Sequence, residues 1–202
     1  INKDSIESVA NWLAYEEFSI PSSAAVRDDA DDFIRATMFM NTLNFAFTDF
    51  DKSIKYEINK DGKILSDSEA MYFQVNNAIS SGIKLTDGNE MASISLHQLK
   101  NIFVGNIEMP MLKERVEILN EVGQKLVDSY EGDWINFINN GPKKLYSDGG
   151  GLIERLIEEF PRFDDSSQFK ESNVKFYKLA QLAFWVIHAE LLSLIHISEP
   201  TR

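Results

Sequence analysis

The sequence feature that most constrains the fold is a long segment with helical spacing of its apolar residues, residues 111–130, which follows Pro110. Proline is typical of the first turn of a helix, and an apolar face repeating every three or four residues must pack against another element. The predicted face contains Leu112, Val116, Leu119, Val122, Leu126 and Val127.

The same spacing predicts further helices, and two Ser-x-x-Glu/Gln patterns predict capping boxes at helix starts. The boxes are Ser66 with Glu69, for a helix ending near Gly82, and Ser95 with Gln98. The other predicted helices cover residues 4–17, 152–160 and 174–192, and the apolar run of residues 32–47 predicts a buried helix that leads into an extended segment.

One β-hairpin is predicted. Apolar and polar residues alternate over residues 54–58, residues 59–62 include the turn residues Asn, Asp and Gly, and residues 63–65 can form the second strand. The predicted fold class is therefore mainly α with one small β-hairpin. A chain of 202 residues favours a single domain.

Charge and composition exclude several classes of function. The net charge is −12, from 20 basic and 32 acidic residues, which disfavours binding to a nucleic acid backbone but leaves a mononucleotide possible. The sequence has no cysteine, its three histidines lack metal-ligand spacing, and it has no glycine-rich phosphate-loop motif. We expect a cytoplasmic protein with no metal and no cofactor, and the residues alone leave its function open.

Four segments, in order along the chain, resemble the queuosine salvage protein family. The first is Leu43-Asn44-Phe45-Ala46-Phe47. The second, residues 75–86, has Lys84 where the family usually has proline, and the others are residues 99–123 and 160–181. The resemblance implies a mainly helical fold similar to DNA glycosylases. It also implies a hydrolase that cleaves the N-glycosidic bond of queuosine 5′-phosphate, a small-molecule nucleotide, and releases queuine.

The resemblance also suggests roles for individual residues. Asn44 could recognise a base edge through its donor and acceptor, while Phe45, Phe47 and Tyr177 are predicted to bind substrate; ordinary core packing remains an equal alternative for the two phenylalanines. Lys178 matches a lysine that the family is thought to need, and we expect its ammonium to be buried and to hold the phosphate or orient a carboxylate. The alternative for Lys178 is a lysine extending from a helix surface.

The catalytic aspartate of the family lies in an F-x-D-Y-R-x-P segment that this sequence lacks, and Asp165 is predicted to be a helix cap or loop anchor instead. We therefore expect an inactive fragment: residues 1–190 form a partial domain, and residues 191–202 are a non-native tail derived from an adaptor sequence. The alternative function is a non-catalytic helical module that binds a purine-like ligand or a partner protein. A glycosylase acting on nucleic acid is disfavoured by the charge.

Overall fold

A computed structural model describes residues 3–13, 29–142 and 144–197, without the side chains of residues 13 and 188–197. These residues form a mainly helical protein, as predicted. The helices are α1 (Lys3–Leu13), α2 (Ala30–Thr42), α3 (Asp67–Ser80), α4 (Gly88–Ser93), α5 (Leu96–Ile102), α6 (Leu112–Tyr130), α7 (Trp134–Asn139), α8 (Leu152–Glu159), a 3₁₀ turn (Pro161–Phe163) and α9 (Lys178–Ile197).

Helix α6 confirms the strongest helix prediction, with a correction to its buried face. It begins at Leu112, because Met111 has a left-handed φ of 55°. Val116 and Val127 are only half-buried, whereas Arg115 is fully buried. Helix α6 packs closely on α4, where a Cβ added at Gly123 would lie 2.3 Å from the backbone nitrogen of Ala92.

Helix α2 lies in the core, since nine of its thirteen residues are buried, and it packs against both α7 and α9. Its first turn is capped by Asp29, whose carboxylate accepts the N–H of Asp31. Helix α2 ends at Thr42, within the run of residues 32–47 for which a buried helix leading into an extended segment was predicted, and the chain then leaves it as a loop.

The predicted hairpin is present, but the structure adds two others. Strands β3 (Glu57–Lys60) and β4 (Lys63–Ser66) are antiparallel, with Ile58 opposite Leu65. Ile54 and Lys55 do not belong to it, because they form β2 (Ile54–Lys55), which pairs with β1 (Thr48–Asp49). Strands β5 (Ser166–Phe169) and β6 (Ser172–Lys175) form the third hairpin, where Val174 and Lys175 had been predicted to be helical.

The two predicted capping boxes have different outcomes. Ser95 and Gln98 form both reciprocal bonds at the start of α5, as predicted. Ser66 precedes α3 but makes no capping bond with its side chain, so that prediction is wrong. The end of α3 near Gly82 is confirmed, and Gly82 has a φ of 89°, which suits glycine.

The two terminal helices differ from their predicted ranges. Helix α1 is described to Leu13, and residues 14–17 of the prediction lie outside the described residues. Helix α9 begins four residues later than predicted and continues to Ile197, past residue 190. Within the described part of the chain, no helix is long and apolar enough to cross a membrane.

Candidate functional site

The loop of residues 43–47, here called the LNFAF loop, connects α2 to β1. Leu43 caps α2, the N–H of Phe45 donates to the carbonyl of Leu43 at 2.9 Å, and Ala46 has a left-handed φ of 49°. Left-handed backbone at a residue other than glycine costs free energy, so surrounding contacts must hold this loop.

Arg115 provides those contacts. It lies on the buried face of α6, and its side chain is 0% exposed. Its guanidinium donates to the carbonyls of Leu43, Phe45 and Ala46, and also to that of Pro110. Burial, followed by repulsion from Arg162, lowers the pKa of Arg115 to about 10, which still leaves it cationic at neutral pH.

Arg162 approaches the same loop from the 3₁₀ turn. Its Nε donates to the carbonyl of Thr42 at 3.0 Å, whereas its Nη2 is buried without a hydrogen-bond partner. Burial lowers the pKa of Arg162, and the charge of Asp165 opposes that effect. Within the described part of the chain, neither Arg162 nor Arg115 forms a salt bridge with a carboxylate.

The two predicted aromatic residues of the loop pack against these guanidinium groups. The guanidinium carbons of Arg115 and Arg162 lie 4.3 and 4.4 Å from the centroid of the Phe45 ring. Arg115 also lies 5.2 Å from the centroid of the Phe47 ring. A base that stacked on Phe45 would therefore compete with a guanidinium group, whereas the half-buried Phe47 has one, more distant cation neighbour among the described residues.

Asn44 belongs to a partly buried polar pair. Its Nδ2 donates to the hydroxyl of Tyr72 at 3.1 Å. Burial raises the pKa of Tyr72, although the bond from Asn44 partly opposes it, so the hydroxyl stays protonated at neutral pH. Because that hydroxyl accepts from Asn44, its own hydrogen can be donated elsewhere, and the pair can offer both a donor and an acceptor to a ligand.

Lys178 is exposed, which corrects the expectation of a buried ammonium. It is the first residue of α9, and its backbone N–H donates to both carboxylate oxygens of Asp165, at 3.0 and 2.8 Å. The prediction that Asp165 is a cap or anchor is thereby confirmed. Tyr177 is half-buried against the core and has a left-handed φ of 52°.

Contacts connect the LNFAF loop to the segment around Lys178. Arg162 covers Phe45, Asp165 attracts Arg162, and Asp165 binds the backbone of Lys178. Among the cavities lined by described residues, four have volumes of about 330 to 580 Å³, and neither Asn44 nor Lys178 lines these four. The largest of these four is lined by Thr48 and Pro110, among other residues, so it lies next to the LNFAF loop and to the carbonyl of Pro110 that Arg115 binds. The described residues contain no group of three His, Asp or Glu side chains that could hold a metal ion.

Sequence reasoning missed Arg115, Tyr72 and Arg162. A signal for Arg115 existed, because residues 112, 115, 119, 122 and 126 follow the three-four spacing of a buried helix face, and arginine occupies one position. For Tyr72 and Arg162 the sequence holds no comparable signal, since their importance depends on which loop they meet.

Comparisons with known proteins relate the chain to one family. A model of the queuosine salvage protein family matches residues 24–193. Relatives from several organisms carry the name queuosine 5′-phosphate N-glycosylase/hydrolase. The protein from Bos taurus is 30% identical over 144 residues, which cover 70% of this chain and 41% of the relative. The protein from Nematostella vectensis is 33% identical over 147 residues, or 71% and 41%. The protein from Sphaerobacter thermophilus is 24% identical over 185 residues, or 90% and 55%.

The fold and the site define a mainly helical protein in which Asn44 of a loop held by Arg115 forms a partly buried hydrogen-bonding pair with Tyr72 of α3. Because the family model matches most of the chain, residues 24–193, the chain belongs to the queuosine salvage protein family. It spans about half the length of the curated relatives that it matches.

Proposed function

We propose that the protein acts in queuosine salvage as a hydrolase, cleaving the N-glycosidic bond of queuosine 5′-phosphate to release queuine. The single observation that carries the proposal is the hydrogen bond between Asn44 of the LNFAF loop and Tyr72 of α3. Enzymes that act on a nucleobase bind it through hydrogen bonds to its edge, and this pair offers both kinds of hydrogen-bonding group in a partly buried position.

Cleavage requires groups that hold the base and groups that act at the ribose and the phosphate. Cleavage of a ribosyl C–N bond passes through an oxocarbenium-like state, which a carboxylate near the anomeric carbon stabilises or attacks. Asn44 and Tyr72 would hold the base, with Phe47 and Tyr177 lining its site. The exposed ammonium of Lys178 would bind the phosphate or orient the catalytic carboxylate.

We further propose that the catalytic carboxylate is not among the residues of this chain. Asp165 is the acidic residue in contact with the backbone of Lys178, and both of its oxygens already accept that N–H. It therefore serves better as a cap than as a nucleophile. On this proposal residues 1–190 form the part of the family domain that binds the nucleotide, and residues 191–202 lie outside it.

The test is release of queuine from queuosine 5′-phosphate, followed by chromatography, for this 202-residue chain and for a longer chain that includes the F-x-D-Y-R-x-P segment. We expect turnover by the longer chain and only binding by this one. Full-rate turnover by this chain would refute the assignment of the carboxylate. Binding without turnover by both would instead support a non-catalytic ligand-binding module.

A matched pair of substitutions tests the role of the polar pair. In the longer chain, Tyr72→Phe should lower kcat/KM about 10- to 100-fold, because a hydrogen bond to the base is lost and Asn44 loses its partner. Tyr130→Phe is the control, since it removes a tyrosine hydroxyl that bonds to Glu159 elsewhere in the protein. Equal effects of the two substitutions would remove Tyr72 from the site.

A further inference from the structure

We infer that Arg115 is the positioning residue for base recognition: it fixes the LNFAF loop so that Asn44 points toward the ligand. The inference rests on the proposed function, because it assigns Asn44 to the base. Arg115 itself is 0% exposed, so a ligand cannot contact its guanidinium and it acts through the loop.

The geometry shows how one side chain can set the direction of another. The carbonyl of Leu43, in the peptide plane before Asn44, accepts both from Arg115 and from the N–H of Phe45. The plane after Asn44 contributes that N–H, so both planes flanking Asn44 are held. Arg115 also binds the carbonyls of Phe45 and Ala46, the latter at 2.9 Å, which fixes the next two planes.

Only a guanidinium fits this task. Its planar fork has five N–H donors in fixed directions, whereas a lysine ammonium is a point charge with three. The fork of Arg115 reaches four carbonyls from two segments and also lies over the Phe45 ring, 4.3 Å from its centroid. Arg115→Lys keeps the charge but cannot reproduce that pattern.

The chain offers a matched control in Arg155. Its Nη2 donates to the carbonyl of Phe137 at 2.7 Å, and its guanidinium carbon lies 4.6 Å from the Phe137 ring centroid. Arg155 therefore has the same kinds of contact, a backbone carbonyl and a phenylalanine ring, but none with the LNFAF loop. Arg155→Lys reports what loss of such contacts does elsewhere.

The first measurement needs no ligand. Amide hydrogen exchange in the 202-residue chain should accelerate at Phe45 by about tenfold or more in Arg115→Lys, and more than at Leu119 inside α6, because the loop opens locally. Arg155→Lys should leave Phe45 within about twofold of wild type. Unchanged exchange at Phe45 in Arg115→Lys, or acceleration equal to that at Leu119, would overturn the inference.

The second measurement is the Kd for queuosine 5′-phosphate in a double-mutant cycle with Asn44→Ala. We expect Arg115→Lys to raise Kd about tenfold in the wild-type background and less than about twofold when Asn44 is already alanine, because residues that act as a unit are not additive. Arg155→Lys should change Kd less than about twofold in either background. Additive effects of Arg115→Lys and Asn44→Ala would assign Arg115 a purely structural role.

The two measurements separate two kinds of failure. If wild-type protein does not bind queuosine 5′-phosphate, the proposed function fails, while the exchange comparison still decides whether Arg115 holds the loop. If wild-type protein binds and the cycle is additive, the positioning role fails and the proposed function stands.

Discussion

The LNFAF loop and the segment of residues 164–178 both carry predicted site residues, but the protein holds them in different ways. The loop is half-buried and is held by Arg115, a fully buried side chain of a long core helix. The other segment is a mostly exposed hairpin, in which Phe169 is 64% and Phe176 is 53% exposed. Its anchor is Asp165. The backbone carbonyl of Asp165 accepts the N–H of Phe176, and its carboxylate accepts the N–H of Lys178.

A residue can therefore belong to the binding site whether or not its conformation depends on contacts with the core. Residues that shape the loop should contribute to both stability and function, because the loop conformation is set by interior contacts. Residues of the hairpin segment should contribute to function with little effect on stability, because local bonds set its conformation. The predictions below test that separation, in order of expected effect on the free energy of unfolding.

The largest effect is expected for Arg115→Met. The substitution keeps apolar bulk but removes the donors of three loop carbonyls and of Pro110, in a region that water reaches poorly. We expect the free energy of unfolding to fall by about 3 kcal/mol, since unpaired buried polar groups are costly. Chemical denaturation monitored by far-ultraviolet circular dichroism measures the change.

Arg155→Met is the control for that prediction, because Arg155 donates to one backbone carbonyl, that of Phe137. Its loss should be about 1 kcal/mol. If the two substitutions lower the free energy of unfolding equally, the loop does not depend on Arg115 more than the carbonyl of Phe137 depends on the half-buried Arg155.

An intermediate effect is expected for Asp165→Ala. The substitution removes the carboxylate that accepts the first N–H of α9, and loss of a helix cap lowers the free energy of unfolding by about 1 kcal/mol. The same denaturation experiment applies, with Asp164→Ala as the control because Asp164 is an exposed neighbour. A loss no larger than that of the control would mean that Asp165 does not anchor the segment.

The sequence was sufficient for the parts of the fold that depend on local pattern. Helical spacing identified α6, and Ser95 with Gln98 identified the start of α5, because these signals lie within a few residues of each other. The β1–β2 and β5–β6 hairpins were missed, since strands of two to four residues in mixed polar sequence have no clear alternation. The Ser66 prediction was wrong because a capping pattern allows the side-chain bond without requiring it.

The candidate site depends more on tertiary contacts, and there the sequence was less informative. Asp165 was correctly predicted as a cap or anchor, whereas Lys178 was predicted to be buried and is exposed. The next two residues of α9, Leu179 and Ala180, are buried and therefore lie on a different face of the helix from Lys178. Arg115 lies 70 residues from Phe45 in the sequence, and Arg162 lies 120 residues from Thr42, which directly precedes the LNFAF loop, so no local pattern could pair them.

The smallest effect on the free energy of unfolding is expected for Lys178→Ala. Lys178 is exposed and its side chain forms no salt bridge with a described residue, so the free energy of unfolding should change by less than about 0.5 kcal/mol. If its ammonium binds the phosphate or orients the carboxylate, kcat/KM of the longer chain should nevertheless fall about 100-fold. Lys170→Ala is the control, because Lys170 is another exposed cation of the same segment and its ammonium lies over the ring of Phe169, which is not a predicted site residue. Loss of turnover with unchanged stability would show that the hairpin segment contributes chemistry to a site whose shape is determined by the core around Arg115; wild-type turnover would remove Lys178 from the site, and a large loss of stability would contradict its placement on the surface.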